Sequence, residues 1–162
     1  MMDTVLNLGL NRDTTDALAK ATGNPRFAWD SYRRFVQMFG DVVLGIHYTR
    51  FSRVEEEILA GRAMDTLSAD EMKELCGKLE AVVVEHGQGF PSEPREQLRF
   101  AIDAVFRSYN SHRARYYRKS HDIPDDAGTG VRVAAAPPRP ISARNRAARE
   151  SVACSWAISA DL

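Results

Sequence analysis

Asn24-Pro25 is a hard start signal: a side chain that can cap a helix, then proline at the first helical position, where its missing N–H is no loss. Gly23, just before it, is a stop. The same punctuation recurs down the chain. Ser68 with Glu71 three residues on forms a capping box, and Leu67 with Met72 can staple across it. Gly61 and Gly87 close segments. The marks predict helices over 11 or 13 to about 21 (capped by Asn11 or Asp13), 25 to about 39, 49–60, 69 to about 86, 93 to about 109 and 111 to about 119. The second has room to continue through Val42 and Val43 to a stop near Gly45. Ser92 is the expected cap of the fifth, with Pro94 in its first turn.

Apolar spacing agrees with the punctuation. Ala28, Tyr32, Phe35 and Phe39 recur at helical intervals, and Phe27, Trp29, Val36 and Met38 widen that stripe until the helix reads as largely buried. Phe51, Val54, Ile58 and Leu59 mark the third helix; Met72, Leu75, Leu79, Val82 and Val83 mark the fourth. Leu98, Ile102, Val105 and Tyr109 mark the fifth. The expected fold class is mainly α, a bundle of about five or six helices over 11–121. Ahead of it, the polar turn Asp3-Thr4 runs into Val5, Leu6, Leu8 and Leu10, a strand too short to bury itself and with no obvious partner: an orphan N-terminal strand.

At 162 residues the chain is long enough for one domain with a sizeable core. No apolar run approaches the roughly 18 to 20 residues of a membrane span, so no membrane partner is expected. Cys76 and Cys154 carry no motif; this usage suits a reducing cytoplasm. The net charge of zero hides an asymmetry. From Arg132 onward the balance is +3, and the remainder is −3. An acidic body gives no reason to expect nucleic acid as a partner.

Four ordered stretches resemble pyruvate, phosphate dikinases. They are Met1-Met2-Asp3-Thr4-Val5-Leu6-Asn7-Leu8-Gly9; Phe27-Ala28-Trp29-Asp30-Ser31-Tyr32-Arg33-Arg34-Phe35 with Gln37-Met38-Phe39-Gly40; Phe90-Pro91 through Gln97-Leu98 to Ala104-Val105-Phe106-Arg107-Ser108; and Ile123-Pro124-Asp125-Asp126. The resemblance covers Met1 to about Val131. It implies that 1–10 end a glycine-rich loop and strand of an ATP-grasp-like nucleotide-binding domain. It makes 11–121 a helical subdomain inserted in that domain, and 122–131 a turn back toward the parent sheet. It also implies a parent activity that interconverts ATP, phosphate and pyruvate with AMP, pyrophosphate and phosphoenolpyruvate. That activity uses Mg²⁺ and a phosphohistidine carrier, in a homo-oligomer. The chain is read as a fragment: no phosphohistidine motif, pyruvate-binding barrel or preceding glycine-rich arginine segment stands here. The family's next strand, with its Asn-Val-Gln and Met-Val-Phe-Gly-Asn segment, is also not matched. Instead 132–162 is an unmatched tail rich in Ala, Arg and Pro, with no apolar periodicity, expected to be disordered. Two origins stay open for it: an out-of-frame reading of a GC-rich gene, or a natural low-complexity tail.

The resemblance places the opening turn over the triphosphate of ATP, so Asp3, Thr4 and Asn7 are candidate nucleotide contacts; without it, Asp3-Thr4 is a plain turn. Arg113 and Arg118 match the family's Arg-Ala-x-x-Tyr-Arg pattern and join that set. The run 107–119, basic residues interleaved with tyrosines, stays open between three readings. It suits a structural helix with tyrosines packed inward, an anion or nucleotide contact, or a free-standing helical module that binds RNA or protein. Arg33 and Arg34 lie three and four residues from Asp30, the spacing of helix-surface pairs. Glu55, Glu56 and Glu57 diverge around a helix and read as a solvated face. His47, His86, His112 and His121 lack metal-ligand spacing. Cys76, beside an apolar stripe, reads as core. Neither a catalytic residue nor a metal site is assigned.

Overall fold

The computed structural model describes residues 3–87, 89–136 and 155–161. Its elements are β1 (Val5–Leu8), α1 (Arg12–Thr22), α2 (Pro25–Met38), a π-helical turn (Phe39–Val43), α3 (Thr49–Leu59), a 3₁₀ turn (Met64–Thr66), α4 (Ala69–Glu85), α5 (Pro94–Ser108), α6 (His112–Ser120), β2 (Gly130–Ala136) and β3 (Ser155–Asp161). The fold is mainly α, as the punctuation required.

The caps work as read. Asn11 accepts from the Thr14 N–H, Asn24 from Phe27, Ser68 from Glu71 and Ser111 from Ala114. Gly23 and Gly87 take the left-handed backbone of a helix stop. Two ends differ from expectation. Ser92 does not cap α5: Glu93 holds the cap position through its backbone alone, and the Ser92 carbonyl accepts instead from Asn11 Nδ2 at 3.0 Å. Proline prefers the first helical position, so Pro94 sets the start one residue later. The α3 stop falls on Ala60 (φ 47°), one residue before Gly61.

α2 is the centre. It packs chiefly on α4 and α1 and is buried on almost every side. Its aromatic side chains meet Phe90, which the loop after α4 delivers into their midst. Ring centroids lie 5.8 Å apart for Phe35–Phe90, 5.5 Å for Phe39–Phe90 and 6.3 Å for Tyr32–Phe90, all edge-on, the arrangement aromatic quadrupoles favour. Leu75, Leu79 and Met72 of α4 close the other side, and Phe51 of α3 is fully enclosed. The helix widens into one π turn at its end, where the Leu44 N–H reaches the Phe39 carbonyl at 3.1 Å. Gly40 lies in that turn, and Phe51 covers it.

The sheet order is β1-β3-β2, all antiparallel. β1 therefore has a backbone partner, where the sequence left it an orphan. A register irregularity between Val5 and Leu8 coincides with the positive φ (60°) of Asn7. Two parts of the tail expected to be disordered, 132–136 and 155–161, also lie in strands. Strand ladders are made by the backbone, so a segment without apolar periodicity is not barred from one. The rest of the tail lies outside the described residues.

The capping box carries a pH dependence. The Ser68 N–H, then the Arg62 and Ser68 side chains, hold the Glu71 carboxyl down at about 2. A depressed carboxylate stabilises the fold fully above its ordinary value of about 4.3 and loses that contribution as pH falls toward 2. Glu71→Gln, which keeps a capping-box residue type, is expected to narrow its stability gap to wild type between pH 6 and pH 2.5, read by urea midpoints. A second expectation concerns Gly40. A methyl there would sit 2.8 Å from Phe51 Cε2. Gly40→Ala should destabilise by about 1–3 kcal/mol in denaturant titration, the usual range for overpacking.

Candidate functional site

The opening segment lies against the buried face of α5. The Asp3 N–H donates to Ser108 Oγ at 3.0 Å, and Ser108 Oγ donates onward to the Val105 carbonyl at 2.7 Å. The Gly9 N–H donates to Gln97 Oε1 at 2.8 Å. Gln97 Nε2 donates to the carbonyls of Leu10 and Pro91, both at 2.9 Å, so this fully buried amide is satisfied on both ends. The apolar stripe read from Leu98, Ile102, Val105 and Tyr109 is therefore rotated. The buried face is Gln97, Ala101, Ala104, Val105 and Ser108, with Leu98 and Ile102 half-buried beside it. Small residues let the strand approach, and polar ones meet its backbone. Gln97 and Ser108 were missed because a polar residue in a helix reads as a solvent residue. The available signal was their place on one line with Ala101 and Ala104.

The candidate nucleotide residues divide into two groups. Asp3, Thr4 and Arg113 come together at one end: Arg113 Nη2 contacts Asp3 Oδ1 at 2.6 Å, with both side chains partly open to solvent, and Thr4 is exposed. Asn7 stands apart, its Nδ2 3.5 Å from the Ser31 carbonyl of α2. Arg118 is enclosed. Its Nε donates to Asp125 Oδ1 at 2.8 Å and its Nη1 to the Tyr109 carbonyl at 2.6 Å, and its guanidinium lies 4.0 Å from the Tyr109 ring centre. At 1% exposure it is committed to holding the turn after α6. The expected inward tyrosines and outward arginines of α6 are thus partly exchanged: Tyr116 is 70% exposed while Arg118 is buried. The reason is chemical. An arginine with an acid, a carbonyl and a ring face to meet is buried at less loss than an unpartnered one. The outer face of α6 lines an open cleft of about 470 Å³ with His112, Arg115, Tyr116 and Lys119.

A second polar cluster sits inside the body. Arg33 pairs with Asp30 at 3.0 Å and with Glu55 of α3 at 2.5 Å, and donates to Gln37 Oε1 at 2.7 Å. Arg34 pairs with Asp30 at 3.2 Å, and burial lowers its pKa. The Arg33 pairs are enclosed and the Arg34 pair half-buried, where the sequence spacing suggested surface ones, and Glu55 belongs here and not to a solvated face. Tyr32 donates to Glu80, and burial, then that bond, raises its pKa; the same carboxylate raises that of Arg12. Burial pushes the Cys76 thiol up to about 12, which keeps it unreactive in the core. Among the described residues no His, Cys, Asp or Glu side chains converge as a metal site, and no helix is long and apolar enough to cross a membrane.

A polar turn and strand are thus tied to a helical body. Comparison with known proteins gives the chain a lineage. The chain is 49% identical over 138 residues to pyruvate, phosphate dikinase of Clostridium symbiosum, covering 82% of this chain and 16% of that protein. It is 47% identical over 137 residues to that of Giardia intestinalis, again covering 82% and 16%. It is 48% identical over 139 residues to that of Rhizobium meliloti, covering 83% and 16%. No family model matches the chain. Over the matched stretch the chain belongs to the pyruvate, phosphate dikinase family, and it spans about one sixth of the length of these relatives.

The buried Arg33 is the test of the interior cluster. Arg33→Met leaves the Glu55 carboxylate enclosed without its cation and Asp30 with Arg34 alone. A loss of about 3–5 kcal/mol is expected in denaturant titration. A loss below 1 kcal/mol would show that these pairs contribute little.

Proposed function

We propose that this segment supplies part of the ATP-binding domain of a pyruvate, phosphate dikinase. The observation that carries the reading is the similarity to dikinases over four-fifths of the chain. The opening turn, fixed at one end of the helical body, is consistent with it. In this reading Asp3, Thr4 and Arg113 form a rim toward the phosphates of ATP. The left-handed backbone of Asn7 turns the segment that carries them. Arg118 acts one step back, by bracing the turn beyond α6.

The geometry fits a rim and not a whole site. Arg113 is accessible and cationic, and the exposed Thr4 hydroxyl is a suitable donor. ATP and Mg²⁺ would supply the transferred phosphoryl group and its charge neutralisation. The described residues offer no metal-ligand set, so in this reading Mg²⁺ is held by other parts of the enzyme. We place the chain in the cytoplasm, where a free, buried Cys76 is at home.

Phosphoryl transfer depends on charges placed all round the moving group. The purified chain, given ATP, phosphate, pyruvate and Mg²⁺, should form no phosphoenolpyruvate. Grafted in place of the matching segment of the Clostridium symbiosum enzyme, the same residues should support turnover. Phosphoenolpyruvate from the isolated chain, or a folded graft without turnover, would count against the assignment.

A further inference from the structure

α5 holds the opening segment at two points. Gln97 and Ser108 are 11 residues apart, three helical turns, so they lie on one face about 16 Å apart along the axis. The backbone groups they meet, at Gly9 and Asp3, are six residues apart, about 20 Å of extended chain, shortened here by the left-handed residue Asn7. The two spans match, and the chain runs antiparallel to the helix. Arg113 adds a third tie, through the Asp3 carboxylate. The bonds are specific in kind. Gln97 accepts from one side of the Gly9-Leu10 junction and donates to the other, and Ser108 accepts from the Asp3 N–H while anchored to its own helix. Between the ties, Val5 and Leu8 are buried, while Thr4 and Leu6 are exposed.

We propose that Gln97 and Ser108 are positioning residues for the opening turn: they clamp its two flanks to α5, so that the turn moves with the helical body as one piece. The proposal rests on the reading that this turn faces phosphates, but the clamp itself is testable without nucleotide. A rigid attachment sets where Asp3 and Thr4 stand before any ligand arrives, and any displacement of α5 is delivered to the turn directly. Pre-set geometry is what a phosphate contact requires, because ordering a loose loop on binding subtracts from affinity.

The test is amide hydrogen exchange by NMR on the intact chain, without nucleotide, in four variants. Ser108→Ala should speed exchange of the Asp3 amide at least tenfold, with Gly9 and the amides of α2 and α4 unchanged. Ser108→Thr, which keeps the hydroxyl, should restore it. Gln97→Met should speed Gly9 at least tenfold and leave Asp3 unchanged, and Gln97→Glu, which keeps the acceptor, should recover part of that protection. Unchanged rates at Asp3 and Gly9 would overturn the proposal. So would an increase shared equally by α2 and α4, since that reports global loosening, or a failure of Ser108→Thr to rescue. Failure of the ATP assignment shows elsewhere, in the graft experiment, and leaves these exchange rates untouched.

Discussion

A helix buried on nearly every side can keep charged residues only if their partners come with them, and α2 is such a helix. Asp30, Arg33 and Gln37 are enclosed on it, and the cluster is completed by Arg34 of the same helix and by Glu55, brought from α3. The Arg33–Glu55 pair ties α3, which packs on α4, to α2 with a direction that a methyl contact lacks. Phe51, one turn earlier on α3, then has a defined place over Gly40, and the π turn gives the chain its exit toward Gly45. α4 meets the same helix with its apolar stripe, and Phe90 completes the aromatic cluster. Two buried atoms, Thr15 Oγ1 and Gln37 Nε2, have no partner within the described residues.

Most of the helical plan was legible in the sequence because it is written locally. Asn24 and Pro25 announce a helix from adjacent positions, and Ser68 and Glu71 do so over one turn. What was not legible depends on residues far apart. Nothing near Glu55 says that Arg33 waits for it, and nothing near Gln97 says that Gly9 does. The direction of α5 was misread for the same reason. Its leucine and isoleucine suggested the inward face, but the strand laid against it calls for alanines, a serine and one amide.

The candidate site follows the same division. The polar turn at Asp3 and Thr4 could be read as a turn, and the family resemblance gave it a purpose. The structure then distinguishes two arginines that one motif treats alike: Arg113 stays at the surface beside Asp3, and Arg118 closes over Tyr109. Sequence spacing cannot make that distinction, because both lie on the same helix and Tyr109 and Asp125, outside it, decide which one is enclosed.

The ties between the opening segment and α5 join residues separated by 88 and 105 positions. Contacts between α1, α2 and α4 close much shorter loops, and shorter loops close sooner. During synthesis at roughly 5 to 20 residues per second, the first strand would wait on the order of ten seconds for its helix to emerge. For that interval Val5 and Leu8 have α2 to pack on but neither α5 nor β3. The opening segment is made before the helix that ties it and is fastened late, so its seating is a matter of birth order as well as of fold.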